Sequence, residues 1–246
     1  EKGQQWLRAV ALLREMREAT ISPTTISYNT AISACLRGDS WNGALELLRQ
    51  LKSSGLRLTA VSYNASISAC ERGAEWQRGL ALLAELQATG LGPDAVSCNA
   101  AISACGAAGH WHLAVDILQG MQGNSLTPNL VSYNAAIDAC GSGSSWTWAL
   151  ELLEALQSSC ICPDAVSYHS TAWACSMASS WDQALVLLGE VQRQGLQRSI
   201  IGCNTALSAC ERGHRWELAL TLLDELQGLC LQPSVVTFNA CISACE

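Results

Sequence analysis

Residues 60–94 have the sequence AVSYNASISACERGAEWQRGLALLAELQATGLGPD, and the same pattern recurs along the chain with a period of 35 residues. Tryptophan marks the period seven times without an insertion: Trp6, Trp41, Trp76, Trp111, Trp146, Trp181 and Trp216. A fixed period of this length predicts a repeat array, in which each unit buries its apolar face against its neighbours. Such an array has no single active-site cleft, so we expect its function to reside on an extended surface.

Each repeat is predicted to be a helical hairpin. Four residues of the first half fall on one helical face, at spacings i, i+3, i+4 and i+7: Tyr63, Ser66, Ile67 and Cys70. Gly73 is a candidate helix stop. A second helical pattern starts at Trp76 and ends near Gly90, before Pro93, which cannot continue a helix. We expect Trp76 and its equivalents to be packing anchors between the two helices of a hairpin.

The fold class predicted from this pattern is all-α: an α-solenoid of helix-turn-helix hairpins that form a superhelix. A single solenoid is expected over residues 1–246, with partial repeats 1–24 and 235–246 and full repeats 25–59, 60–94, 95–129, 130–164, 165–199 and 200–234. The chain opens and stops within a repeat, so we expect it to be part of a longer protein whose targeting segment lies elsewhere. Hydrophobic residues make up 49% of it, which is ample for a continuous core.

The 13 cysteines are predicted to be free thiols rather than disulfides or metal ligands. Seven occupy one position of the repeat: Cys35, Cys70, Cys105, Cys140, Cys175, Cys210 and Cys245. Neighbouring helices pack roughly 10 Å apart, whereas a disulfide needs Cα atoms within about 7 Å. The pairs Cys160-x-Cys162 and His110-x-His112 lack further residues at metal-ligand spacing. We therefore expect small buried apolar cysteines, no metal, no cofactor and no enzymatic activity.

Three positions at the start of each first helix are unusually regular. Good N-cap residues precede the helix: Thr24, Thr59, Asp94, Asn129, Asp164, Ser199 and Ser234. β-Branched residues follow at the second position: Ile26, Val61, Val96, Val131, Val166, Ile201 and Val236. The fifth position is Asn29, Asn64, Asn99, Asn134, Asn204 and Asn239, with His169 in the remaining unit. Capping and hydrophobic stapling explain the first two positions. Asparagine is a mediocre helix former, so its recurrence indicates either a ladder that bonds repeat to repeat or contact with a ligand.

The chain resembles the pentatricopeptide repeat family over essentially its whole length. The resemblance rests on the period, the opening Val61-Ser62-Tyr63-Asn64, the second-helix pattern A-L-x-L-L at 149–153 and the closing G-x-x-P-D at 90–94. It implies binding of single-stranded RNA, with one base per repeat. The fifth and last residues of each unit would read the base: Asn29/Thr59, Asn64/Asp94, Asn99/Asn129, Asn134/Asp164, His169/Ser199 and Asn204/Ser234, with Asn239 beginning a further unit. The second-position residues would sandwich the bases, and the implied site is a pyrimidine-rich hexamer.

The distribution of charge favours a competing interpretation. By the resemblance, cations at the thirteenth position approach the RNA backbone, and Lys2, Arg37, Arg72 and Arg212 match it. The three central units carry Ala107, Ser142 and Met177 instead, and the net charge is −7. Phosphate neutralisation dominates nucleic-acid affinity. The alternative is therefore a non-catalytic scaffold that binds protein subunits of a large organellar assembly, either a ribosome or a membrane energy complex, with Trp148 and Trp173 as partner contacts.

The unit at 165–199 departs furthest from its sisters. His169 replaces the asparagine, and Trp173 lies four residues later, so the two are expected on one helix face. They could stack on a base, dock a protein side chain or reflect sequence drift. For the whole chain, the resemblance implies an organellar location, in the chloroplast or mitochondrion. We expect single-stranded RNA as the partner, or alternatively protein subunits, with no DNA binding and no membrane insertion.

Overall fold

The computed structural model of the chain describes residues 5–123, 126–178, 180–196, 200–228 and 232–245, which form helices and turns with no strand among them. Contacts group the chain into two compact units, Glu1–Thr127 and Pro128–Glu246. The first contains α1 (Gln5–Glu18), α2 (Thr25–Arg37), α3 (Trp41–Ser53), α4 (Ala60–Arg72), α5 (Trp76–Ala88), α6 (Ala95–Ala107) and α7 (Trp111–Gly123). The second contains α8 (Leu130–Ser142), α9 (Trp146–Ser158), α10 (Ala165–Met177), α11 (Trp181–Arg193), α12 (Ile200–Arg212), α13 (Trp216–Gly228) and α14 (Val235–Ala244).

Stacked hairpins build each unit. In the first unit, α2, α4 and α6 pack against one another in sequence, and α3 and α5 each contact the first helix on either side. The second unit repeats this arrangement with α8, α10, α12 and α14 as first helices and α9, α11 and α13 as second helices. The predicted all-α class and its helical hairpins are confirmed, while a single array over the whole chain stays a prediction.

The helix boundaries follow from local chemistry. Each first helix that shows an N-cap is closed by a capping box, in which the cap side chain accepts the backbone N–H of the third helical residue. The predicted caps at Thr24, Thr59, Asp94, Asn129, Asp164 and Ser234 are confirmed, and Ser199 lies outside the described residues. The second helices begin at the repeated tryptophans, as predicted.

Small thiols and branched side chains fill the space between stacked first helices. Six of the periodic cysteines are buried and free: Cys35, Cys70, Cys105, Cys140, Cys175 and Cys210. Burial raises the pKa of the Cys140 thiol to about 12, so this thiol stays protonated. Cys245, the seventh, is exposed, as are Cys160 and Cys162. The prediction of buried apolar cysteines is therefore confirmed for six of the seven periodic positions.

The periodic tryptophans connect successive hairpins as well as opening the second helix. Trp41 lies against Gly73, the residue after the first helix of the next hairpin, and a Cβ there would come within 2.6 Å of the indole. Trp6 meets Gly38 and Trp181 meets Gly213 in the same way. A packing anchor within one hairpin was expected, and that prediction missed this contact between repeats. At Gly38, Gly73 and Gly213 the indole occupies the space that a side chain would need, whereas the equivalent residues Ala108 and Ala178 carry a Cβ.

Candidate functional site

The start of every first helix presents one exposed apolar side chain. The seven second-position residues are 54 to 76% exposed: Ile26, Val61, Val96, Val131, Val166, Ile201 and Val236. A hydrophobic staple would bury this side chain against the helix, so stapling does not account for the position. In each unit the helices α2, α4 and α6, or α8, α10, α12 and α14, display these residues at equivalent places. We call this surface the first-helix face.

In three repeats a polar pair forms where the fifth residue of a first helix meets the N-cap of the next first helix. Asn29 Nδ2 donates to Thr59 Oγ1 at 3.2 Å, and Asn64 Nδ2 donates to Asp94 Oδ2 at 2.7 Å. In the second unit, Asn134 Nδ2 donates to Asp164 Oδ1 at 3.2 Å. The fifth and last residues of a repeat therefore meet side chain to side chain, in each of the three pairs.

The hydroxyl at the third position of the following helix completes this contact. Ser62 Oγ donates to Asn29 Oδ1 at 2.8 Å and Ser167 Oγ donates to Asn134 Oδ1 at 2.7 Å. Thr237 Oγ1 donates to Asn204 Oδ1 at 2.8 Å. The amide nitrogen can only donate and the amide oxygen can only accept, so Nδ2 faces the N-cap and Oδ1 faces the hydroxyl. The repeat-to-repeat asparagine ladder, one of the two interpretations of the sequence, is present in the structure.

Two of the amides are incompletely satisfied. Asn64 Oδ1 and Asn99 Oδ1 are buried, and neither has a hydrogen-bond partner among the described residues. At Asn64 the cause is visible. The hydroxyl that would serve it, Ser97 Oγ, instead donates to the backbone carbonyl of Asp94 at 2.9 Å. A buried acceptor without a donor costs roughly 1–3 kcal/mol, so rotation of the Ser97 hydroxyl would relieve it.

The two aspartates of these pairs are held ionised. Partial burial of Asp94 disfavours its charge, but hydrogen bonds from Ser97 and Asn64 outweigh that effect and lower its pKa below the ordinary value. The same balance lowers the pKa of Asp164, through Ser167 and Asn134. At neutral pH each of these carboxylates is an acceptor only.

The amides retain capacity for a ligand. An asparagine side chain has two N–H donors and two acceptor lone pairs, and the ladder uses one donor and one lone pair of Asn134. The asparagines are half-buried at positions 29, 64, 134 and 204. Their bonds go to side chains rather than to backbone, so a planar polar group could replace or share them without unfolding a helix.

The other predicted base-reading residues lie on first helices or cap them. Asn99 lies on α6 and is half-buried, Asn239 lies on α14 and is exposed, and Asn129 and Ser234 are N-caps of α8 and α14. Ser199 lies outside the described residues.

The predicted phosphate contacts are partly engaged within the protein. Arg37 is exposed at the last turn of α2. Arg72 Nη1 lies 3.3 Å from Asp39 Oδ1, both exposed, and such surface pairs contribute little stability and separate readily. Arg212 Nη2 lies 3.3 Å from Met177 Sδ. Lys2 lies outside the described residues.

Charge differs sharply between the two units. Residues 1–127 contain ten Lys or Arg and ten Asp or Glu, whereas residues 128–246 contain four and eleven. The whole net charge of −7 therefore belongs to the second unit. In that unit Asp138 is exposed on α8, yet the protein around it removes enough hydration to raise the pKa of its carboxyl.

His169 and Trp173 contact opposite neighbours, although a shared position on the face was expected. The His169 ring lies against Gly202 of α12, and the Trp173 ring lies against Gly141 of α8, where a Cβ would come within 2.5 Å of the indole. Five sister helices have serine, and another threonine, at the place of Gly202. Each large side chain is thus matched by a glycine on the helix that it touches. This pairing disfavours independent drift, and only comparison of neighbouring repeats would have revealed it in the sequence.

Trp148 does not belong to the first-helix face. It is half-buried on the second helix α9.

In the described residues, no group of three or more His, Cys, Asp or Glu side chains is arranged to hold a metal ion. None of the helices in these ranges combines the length and apolarity needed to cross a bilayer.

Comparison with known proteins gives a consistent family. A family model described as pentatricopeptide repeat domain matches residues 4–38, 12–72, 81–143 and 186–246, and one described as PPR repeat matches 131–161. No curated protein matches the chain significantly.

Solved structures are similar at the level of the fold. The pentatricopeptide repeat protein PPR10, in complex with an 18-nt psaJ RNA element, aligns over 96% of this chain at 17% identity and a TM-score of 0.58. PPR10 is a maize protein. The PPR domain of Arabidopsis thaliana protein-only RNase P 1 in complex with tRNA covers 69% of this chain, with 90% of its own length aligned, at 16% identity and a TM-score of 0.59. The chain spans 39% of the length of PPR10.

Proposed function

Because the chain belongs to the pentatricopeptide repeat family, we propose that it is a non-catalytic, sequence-selective RNA-binding protein. It would hold a single-stranded segment along the first-helix face of its repeats, with one base to each repeat. Its location would be an organelle, where it would act in RNA metabolism by shielding or remodelling a transcript. PPR10 and the PPR domain of protein-only RNase P 1, both solved with RNA, are relatives that support the partner class.

The observation that carries this proposal is the recurrence of one local arrangement. An apolar side chain more than half exposed stands beside a half-buried amide whose partner is the next N-cap, as at Val131, Asn134 and Asp164. A base inserted between successive repeats would contact β-branched side chains on its faces. Its polar edge would then meet the amide and the cap. Apolar surface for the ring and fixed donors and acceptors for the edge are what recognition of an unstacked base requires.

The proposal includes a base order. By the family's code, asparagine with aspartate favours uracil and asparagine with serine favours cytosine. Read 5′ to 3′ along the chain, the second and fourth bases would be uracil, opposite Asn64/Asp94 and Asn134/Asp164. The third would be either pyrimidine, opposite Asn99/Asn129, and the sixth would be cytosine, opposite Asn204/Ser234. The first and fifth are unassigned.

The test exchanges one cap and measures which base is preferred. The variant Asp164→Ser should move the preference at the fourth base from uracil to cytosine, measured by fluorescence anisotropy with two hexamers that differ only there. Asp224→Ser is the matched control, because Asp224 is exposed on the second helix α13 of the same unit and its loss changes the charge equally. Equal effects of both variants on both hexamers would contradict base reading by this pair.

A second candidate function is favoured by the charge of residues 128–246. With eleven acidic and four basic residues, this unit would repel phosphate and attract a basic protein surface, as a scaffold subunit would. Anisotropy at two salt concentrations discriminates the two functions, since phosphate contacts make affinity fall with salt. An affinity for RNA that falls as the salt concentration rises supports RNA binding. Absence of any binding to RNA supports the scaffold.

A further inference from the structure

The fourth residue of the first helix is a buried tyrosine in four full repeats: Tyr28, Tyr63, Tyr133 and Tyr168. Each residue is at most 3% exposed, and its hydroxyl meets a side chain on or directly after a second helix. Tyr63 Oη donates to Glu85 Oε1 of α5 at 2.9 Å, and Tyr133 Oη lies 3.2 Å from Ser159 Oγ. The phenol thus fills a slot that runs from the first helices out towards the second helices.

Cys203 replaces this tyrosine in the repeat 200–234, and no side chain fills the slot there. A cavity of about 220 Å³ lies there, between α11, α12 and α13. Its lining is mostly apolar, and includes His169, Leu188, Gly189, Cys203, Leu222 and Glu225. A Cβ added at Gly189 would meet nothing within 4 Å, so this wall is open space.

The outer end of the cavity keeps the hydrogen-bonding group of the tyrosine slot. Glu85, which accepts the hydroxyl of Tyr63, lies 22 residues after it in the chain. Glu225 lies 22 residues after Cys203, at the same place of its repeat, and lines the cavity. The repeat 200–234 therefore lacks the phenol and retains the carboxylate that a phenol hydroxyl meets in the repeat 60–94.

We propose that this cavity binds a small monocyclic phenol, with its ring in the place of the missing tyrosine side chain and its hydroxyl donating to Glu225. An apolar protein cavity of about 150 Å³ is sufficient to bind benzene, and this one is larger. The imidazole of His169, reaching the cavity from the preceding repeat, provides a second polar edge. The site lies between the second helices α11 and α13 and the first helix α12. None of the exposed second-position residues lines it, and it shares only His169 with the predicted base-reading positions.

A second vacated slot provides an internal comparison. Cys98 replaces the tyrosine in the repeat 95–129, and a cavity of about 240 Å³ lies beside it, lined by Leu83, Leu113 and Met121 among others. The residue 22 positions after Cys98 is Gly120, so the carboxylate of the tyrosine slot is missing at that place. Asp116 approaches this cavity from a different turn of α7. We expect the Cys98 cavity to discriminate less between a phenol and a benzene.

The experiment isolates the Cys203 cavity with a pair of variants. Cys98→Tyr fills the other slot, and the double variant Cys98→Tyr/Cys203→Tyr fills both. Binding of 4-fluorophenol and of fluorobenzene to each is titrated by fluorine NMR. The single variant should bind 4-fluorophenol saturably, and the double variant should lose at least about tenfold in affinity, since a native-like side chain would occupy the site.

The carboxylate of Glu225 is tested in the Cys98→Tyr variant. Glu225→Gln should weaken 4-fluorophenol by roughly tenfold, because a hydrogen bond to a charged group is replaced by a neutral one, and should leave fluorobenzene within about twofold. Thermal unfolding verifies that each variant folds. If the double variant does not fold, Gly189→Leu on Cys98→Tyr fills the cavity from α11 instead. Absence of saturable binding, or equal binding after the cavity is filled, overturns the proposal.

Discussion

The imidazole of His169 lies directly against the Cα of Gly202, in a space that a Cβ would enter. In three pairs that keep asparagine, this space holds a hydroxyl that donates to the amide, as Ser167 does to Asn134. A histidine and a glycine on adjacent helices have therefore replaced an asparagine and a serine together. The exchange conserves the volume of the pair while it removes one hydrogen bond.

This relationship predicts a mutational rescue. Gly202→Ser should lower the free energy of unfolding by about 1–3 kcal/mol, because overpacking forces side chains from their preferred rotamers. His169→Asn in the same chain should recover most of the loss, since it restores the asparagine–serine pair of the sister repeats. Urea unfolding of the wild type, both single variants and the double variant gives the coupling energy. Additive effects would show that the two residues are not matched.

The asparagine ladder predicts a measurable loss of stability at Asn134. The variant Asn134→Ala removes the donor to Asp164 and the acceptor of Ser167. Each net hydrogen bond contributes about 1 kcal/mol, so we expect a loss of about 1–2 kcal/mol in urea unfolding. Ser142→Ala, at an exposed residue ending the same helix, is the control and should change stability by less than about 0.5 kcal/mol. A neutral Asn134→Ala would mean that the ladder contributes nothing.

The pKa of His169 predicts a dependence of stability on pH. Burial lowers this pKa below the ordinary value of 6.5, and Asp164 opposes the shift only in part. Between the lowered pKa and about 6.5 the unfolded chain binds the proton and the folded chain does not. The stability from the neutral imidazole is therefore complete above pH 6.5 and decreases as the pH falls below it.

Unfolding measured at several pH values between 7.5 and about 5 tests this linkage. The variant His169→Gln should show a shallower decrease below pH 6.5 than the wild type. His112→Gln, which removes an exposed histidine, is the control and should retain the slope of the wild type. Parallel profiles for the wild type and His169→Gln would contradict the burial of this ring.

Cysteine reactivity should separate by position in the repeat. Burial raises the pKa of Cys105 to about 11 and that of Cys140 to about 12, and the thiolate is the reactive form. Brief alkylation at pH 7.5 should therefore label exposed Cys160 and Cys162 and spare the buried pair, as measured by peptide mass spectrometry. The buried thiols should react once urea unfolds the chain. Labelling of Cys140 at the rate of Cys160 in the native protein would refute its burial.

Features set by neighbouring residues were predictable from the sequence. The caps at Thr59 and Asp164 and the start of a helix at Trp76 depend on a few adjacent residues, and each is confirmed. The amide–cap pairs were predictable as positions of the repeat, because a constant period brings residue 134 next to residue 164. Whether those amides would bond to the neighbouring repeat was open, since both a ladder and a ligand explain a recurrent asparagine.

Features that depend on packing between repeats were missed. The contact of Trp41 with Gly73 joins successive hairpins, and the cavity beside Cys203 arises where small residues of α11 and α12 face α13. The pattern of residues within one repeat does not show how an unusual side chain in one repeat is accommodated by a smaller residue in the next. Comparing residues about 33 positions apart, such as His169 and Gly202, would have exposed such compensation.

The most direct test of the account is the base preference of Asp164→Ser with hexamers that carry uracil or cytosine at the fourth position. The wild type should bind the uracil hexamer more tightly, by a factor of about ten for one good polar contact, and the variant should prefer the cytosine hexamer. The Asp224→Ser control should keep the preference of the wild type. If neither hexamer binds, or if Asp164→Ser leaves the ratio of the two affinities unchanged, the first-helix face does not recognise bases through its amide–cap pairs.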